Sequence, residues 1–160
     1  MYPCFDVDGI SVERLLQEWN WLVQGRYRLL AVNPFGDLFL EGINGGVHRL
    51  DITRATFSAI ADSEEDFAKA ANEPAKRRDW RLDGLAWQAQ HRDCSPGKGQ
   101  CFGYKIPAVF KESANMPSNL YVADLYEFVS FMGDMHGQMK DVPDGEKVRI
   151  KIQPKPERAG

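Results

Sequence analysis

The stretch that decides the fold is Gly97–Gly133, which reads GKGQCFGYKIPAVF (97–110), KESANMPSN (111–119) and LYVADLYEFVSFMG (120–133). Two apolar segments flank a polar interruption. The glycine-rich turn predicts a strand from Cys101 to Ile106, closed by Pro107, which has no N–H to give a ladder. Leu120 to Ala123 predicts a second strand that runs directly into a helix at Asp124, a residue suited to cap it. Over 124–139, Leu125, Phe128, Val129, Met132, Met135 and Met139 share one helical face, as a core-facing helix requires. Gly133 and Gly137 lower its intrinsic stability, so packing must hold it. The methionines read as core rather than as an adaptable recognition surface.

Towards the N-terminus, Val12, Leu15, Leu16, Trp19, Leu22 and Val23 form a helical stripe. They predict a helix over 11–24, with Ser11 or Asp8 as cap and Gly25 as stop. Trp21 falls off that stripe and reads as a partly covered surface aromatic or a partner anchor. Residues 27–32, 37–41 and 47–52 predict an antiparallel meander joined by Asn33-Pro34-Phe35-Gly36 and Gly42-Ile43-Asn44-Gly45-Gly46. A short extended piece, 56–60, follows. Gly45-Gly46 is a hairpin turn and not a phosphate cradle, since no GK[ST] follows it. Ser63 with Glu64, Glu65 and Asp66 opens a helix, and 74–90 predicts another around Trp80. Towards the C-terminus, Pro143-Asp144-Gly145 turns the chain into an alternating strand, 148–152.

These elements predict one α+β domain, with a mostly antiparallel sheet (the N-terminal meander plus C-terminal strands) packed with four helices. Residues 1–26 are an arm and amphipathic helix packing on the domain, 27–153 the domain itself, and 154–160 a tail.

A chain of 160 residues, 43 % of them hydrophobic, can build a core without staples. A net charge of -3 lacks the basic footprint that phosphate binding needs, so no direct nucleic-acid partner is expected. The basic run around Trp80 reads as a solvated helix face rather than a base-stacking platform. Cys4, Cys94 and Cys101 are too few and odd in number for a disulfide framework. The start, MYPCFDVDG, lacks the pattern of a signal peptide, and no apolar run approaches the ~20 residues of a membrane span. The expectation is a cytoplasmic protein with no membrane partner.

Catalytic constellations are sparse. His91, Cys94 and Cys101 give H-x2-C-x6-C, short of the donor set zinc requires. Cys101 with His136 or His48 would make a nucleophilic pair, but Cys101 lies in an apolar strand pattern, where an inert thiol is usual. No G-x-S-x-G elbow occurs. No catalytic residue, cofactor or metal is therefore assigned.

Three stretches carry a resemblance. Asn33–Glu41 with Gly46–Asp51 is similar to the FGDLF and YLD hairpin of the C-terminal domain of Tdi-type immunity proteins, which guard bacteria against DNase toxins of type VI secretion. Gly99–Phe110 resembles that family's G-E-C-Y-G-F-x-x-P strand, and Asn119–Leu125 the strand and helix after it. The likeness spans residues 27–142. Leu15 to Trp21 resembles the aromatic helix that ends a separate preceding domain in many relatives. The resemblance implies a small α+β domain that binds and neutralises a cognate protein toxin without catalysis.

Two hypotheses follow. The first is a binding module whose acidic, aromatic-bearing surface occludes a basic nuclease site, charge setting the on-rate. Its contact residues, chosen for predicted exposure, are Trp21, Asp37, Glu41 and Asp51. The alternative is a small-molecule, thiol- or metal-dependent enzyme or sensor using the Cys94–Cys101 loop.

Overall fold

The central strand has both faces buried. In Leu38-Phe39-Leu40 the pleat sends the two leucines one way and Phe39 the other, yet all three are fully buried. The computed structural model describes residues 7–82, 96–105, 120–143 and 145. Within it, β1 (Tyr27–Val32), β2 (Leu38–Gly42), β3 (Val47–Asp51) and β4 (Thr56–Ala61) form one antiparallel sheet in that order. The meander is thus one strand longer than expected. The extended piece after Asp51 pairs with β3, placing Leu50 opposite Phe57 and Arg49 opposite Ser58, with one slip that leaves Ile60 extra.

Each face of the sheet carries its own core. Leu29, Val32, Leu38, Leu40, Leu50 and Ile52 pack against an N-terminal helical segment and the C-terminal helix. Leu30, Ala31, Phe39 and Val47 pack on the other face against Phe67, Trp80 and Leu82. Leu30 and Ala31, though adjacent, reach the same core because β1 bulges there: Leu29 pairs with Leu40 and Ala31 with Phe39, leaving Leu30 as the extra residue.

The second face is roofed by α2 (Glu64–Ala70) and α3 (Pro74–Asp79). Ser63 caps α2 as expected, accepting from Asp66 N at 3.1 Å. Helix α3 stops well short of 90. Leu82 N donates to Arg77 O and Arg81 N to Arg78 O, the paired bonds of a Schellman cap. Arg81 takes the left-handed position, φ 58°, that glycine usually fills. The stop turns Trp80 inward, where it stacks on Phe67 at 5.4 Å. At 2 % exposure Trp80 is core and not a platform for bases.

The first face is covered by α1 (Val12–Leu16), a 3-10 turn (Gln17–Trp19), a two-stranded antiparallel pair and α4 (Leu125–Met139). The pair joins β5 (Gln100–Tyr104) to β6 (Leu120–Asp124). Phe102 N donates to Pro34 O and ties the pair to the β1–β2 turn. Asp124 caps α4 through Glu127 N at 3.0 Å, as its sequence predicts. The single helix expected over 11–24 is instead a short helix that tightens. In an α-helix, residues two apart point about 200° apart, but Trp19 and Trp21 both face α4. Trp21 lies past the 3-10 turn, off the helix, and so is free of that spacing.

The strand expected over 148–152, the loop 111–119, Cys94, the end of the helix expected over 74–90 and the tail 154–160 lie outside the described residues.

Candidate functional site

Asn33-Pro34-Phe35-Gly36-Asp37 builds a buried polar knot. Asn33 Oδ1 accepts from Phe35 N at 3.0 Å and Asp37 N at 2.9 Å, closing the turn on itself. Gly36 is required there. Its φ is 89°, and a Cβ would stand 2.9 Å from Ile52 Cδ1. The turn delivers the Asp37 carboxylate beneath the sheet end. Oδ1 accepts from Ile52 N at 3.0 Å, and Oδ2 from Asn33 Nδ2 at 2.9 Å and Arg49 Nη2 at 2.8 Å.

Arg49 links this knot outward. Its Nη1 donates to Asp79 O at the end of α3, and its Nη2 lies 3.7 Å from Asp51 Oδ2. Asp51 Oδ1 accepts from Thr53 N and Arg54 N, both at 3.0 Å. Beside it, Arg81 donates to Tyr104 Oη at 2.6 Å and to Thr53 Oγ1 at 3.2 Å, and its guanidinium lies 4.4 Å above the Phe35 ring. Burial, and next the Asp51 charge, push the Asp37 carboxyl above its ordinary value, while Arg49 and Arg81 pull it back. The three donors, one of them a cation, are the complement of a carboxylate. Burial likewise pushes the Tyr104 phenol up against the pull of Arg81.

Asp37 and Asp51, expected on the surface, are therefore corrected to buried residues, 0 % and 5 % exposed. Asp37 closes a turn, and Asp51 caps the bend after β3. Both are joined through Arg49, so neither presents a charge to a partner. Trp21 is half-buried. It stacks on Trp19 with ring centroids 5.8 Å apart and donates to Gly133 O at 3.1 Å. Glu41, at the far end of β2, stays partly exposed and pairs with Arg28.

Cys101 is fully buried, and burial, then Asp124 and Asp37, raise its thiol far above the ordinary value. An inert thiol is what the apolar strand pattern implied. The two histidines considered as its partners are packed against aromatic rings. His48 stacks on Phe57 at 5.0 Å, and His136 lies against Trp19. No three His, Cys, Asp or Glu side chains cluster as metal ligands among the described residues.

The β2–β3 hairpin faces outward. Gly42 N donates to Gly46 O and Gly45 N to Gly42 O, and Gly45 takes φ 88°. This tight turn pushes Ile43 to 90 % exposure. Behind it, Arg28 bridges Glu41 and Glu64, and exposed Glu65 and Asp66 continue the acidic edge. Sequence reasoning passed over Ile43 as a turn residue. The signal was present, because an apolar β-branched residue is unusual in a glycine-rich reversal. A separate open groove of ≈ 740 Å³ lies between α1 and the start of β1, lined by Val12, Leu16 and Tyr27 with Glu13, Arg14 and Arg26.

No described helix is long and apolar enough to cross a membrane. No protein-family model matches the chain. No curated protein matches it either.

Proposed function

We propose that the chain is a non-catalytic binding protein, and that its partner surface is the β2–β3 hairpin and the acidic edge behind it. The particular role we assign is that of a cytoplasmic immunity protein, which occludes the basic active site of a cognate secreted toxin. The resemblance of the hairpin and the β5 strand to Tdi-type domains supports that role. The observation that carries the surface is Ile43, an aliphatic side chain 90 % exposed at the tip of a hydrogen-bonded turn. Beside it Arg28 bridges Glu41 and Glu64, Lys69 pairs with Glu65, and Asp66 adds to an edge that stays net negative and suits a basic partner. The thiol- or metal-dependent alternative is weakened by the burial of Cys101.

The test is binding to, and protection from, the toxin encoded beside this gene. Ile43→Asp should leave stability unchanged and weaken binding at least about tenfold, and added salt should slow association. Unaltered binding by the variant would move the surface elsewhere. No binding to that toxin by the wild-type chain would remove the immunity role.

A further inference from the structure

Asn44 is the one asparagine in the chain that glycine follows, and the fold sets this pair at the tip of the β2–β3 hairpin. Asn44 is exposed beside Ile43. Gly42 N donates to Gly46 O at 2.9 Å and Gly45 N to Gly42 O at 3.0 Å, with Gly45 at φ 88°. These are the bonds of a three-residue hairpin loop that ends in a glycine bulge. A Cβ built on Gly45 would meet nothing within 4 Å. The backbone nitrogen after Asn44 is thus shielded neither by a side chain of its own nor by packing from elsewhere in the fold.

We infer that this turn is a site of spontaneous covalent modification, in which Asn44 is converted to aspartate and isoaspartate through a cyclic imide. Gly45 N forms a bond to Asn44 Cγ and loses its proton, and the side-chain amide group takes up a proton and leaves as ammonia. Water then opens the imide. Attack at one carbonyl gives aspartate on the original backbone. Attack at the other gives isoaspartate, whose main chain runs through Cβ and Cγ and is longer by one carbon. The net reaction consumes one water and releases one ammonia.

The fold gates the first step. The Gly45 N–H that must be lost is held by Gly42 O, so the turn has to open before the nitrogen reaches Cγ. The rate therefore follows local opening of the tip. Both products place a new carboxylate beside Ile43, and the longer isoaspartate backbone does not fit a turn this tight. On the reading that this tip is the partner surface, aspartate strengthens its pull on a basic partner and isoaspartate disrupts it. The chemistry itself does not depend on that reading.

Peptide mapping by mass spectrometry tests it, on the full chain held for weeks in mildly alkaline native buffer or in guanidinium chloride. In native buffer Asn44 should convert at least about tenfold faster than any other asparagine, because each of the others is followed by a residue with a side chain. In denaturant, where the turn is open, it should convert about three- to tenfold faster again. Asn44→Gln, which would need a larger ring, should stay folded and show no conversion at that position. No conversion of Asn44 in native buffer would overturn the inference, as would conversion no faster than at the other asparagines. Equal rates in native buffer and denaturant would overturn the gating by the Gly45 bond.

Discussion

Trp19 occupies the space that a side chain on Gly133 would fill. A methyl group on Gly133 would stand 2.8 Å from the indole nitrogen and 2.8 Å from Glu18 O. The same indole donates to Val129 O at 2.9 Å, and Trp21 repeats the contact one turn on, donating to Gly133 O. The spacing has a cause. A helical Cβ leans back over the preceding turn, where it shields the carbonyl of residue i−4. Glycine at 133 therefore uncovers Val129 O, and glycine at 137 uncovers Gly133 O. Each carbonyl has a second lone pair free for an indole.

Gly133→Ala should therefore destabilise the fold by about 2–3 kcal/mol, even though alanine gains up to about 1 kcal/mol in helix propensity. Gly137→Ala should cost less, under about 1 kcal/mol, because Trp21 is half-exposed and able to shift. Urea unfolding followed by Trp fluorescence gives the order. Equal losses, or a gain at 133, would refute the account of the paired glycines.

The buried carboxylate predicts a second effect. Asp37→Ala leaves Arg49, nearly buried at 11 % side-chain exposure, without its closest anion, and should cost about 3–5 kcal/mol. Asp37→Asn keeps the shape and should cost less. Asp37→Asn with Arg49→Met should lose less than the two single losses added, because the second change removes the stranded cation. Strict additivity in denaturant melts would show that the two residues do not act as one unit.

How far the sequence carried depended on the range of the contact. Ser63 with its acids and Asp124 before its apolar helix were legible because a cap bonds within three residues. The meander strands were legible by their β-favouring residues and the turn residues between them. Asp37 was read as exposed because, Asn33 apart, its partners Arg49 and Ile52 lie across a strand pair, 12 and 15 residues on. Trp21 was read as a partly covered aromatic, which its half-buried position matches, but its acceptor, 112 residues away, left no local trace. The end of α3 was missed because its left-handed residue is Arg81 and not glycine.

That substitution can be tested directly. Arg81→Ala loses the bonds to Thr53 and Tyr104 and the contact with Phe35, and keeps a side chain at positive φ. Arg81→Gly loses the same contacts but relaxes the backbone. The glycine variant should be more stable than the alanine variant by about 1 kcal/mol. Both should be less stable than the wild type. If alanine equals glycine, the left-handed turn carries no cost at this position.

His136 should make stability depend on pH. It is 7 % exposed on α4, beside Trp19, with no hydrogen-bond partner for Nε2. Burial pulls its imidazole below the ordinary value, against opposing pulls from the Ile52 and Thr53 backbone and the Asp51 charge. The folded state then binds the proton less readily than the unfolded chain. Its contribution is complete above the unfolded value near 6.5 and is lost as pH falls through the lower folded value. The wild type should lose stability on acidification from about pH 8 to pH 5, and His136→Gln should lose less over the same interval. Chemical denaturation of both chains across that range isolates the difference from the carboxylates they share. Parallel curves would mean that the imidazole titrates alike in the two states and that its burial has no linkage to folding.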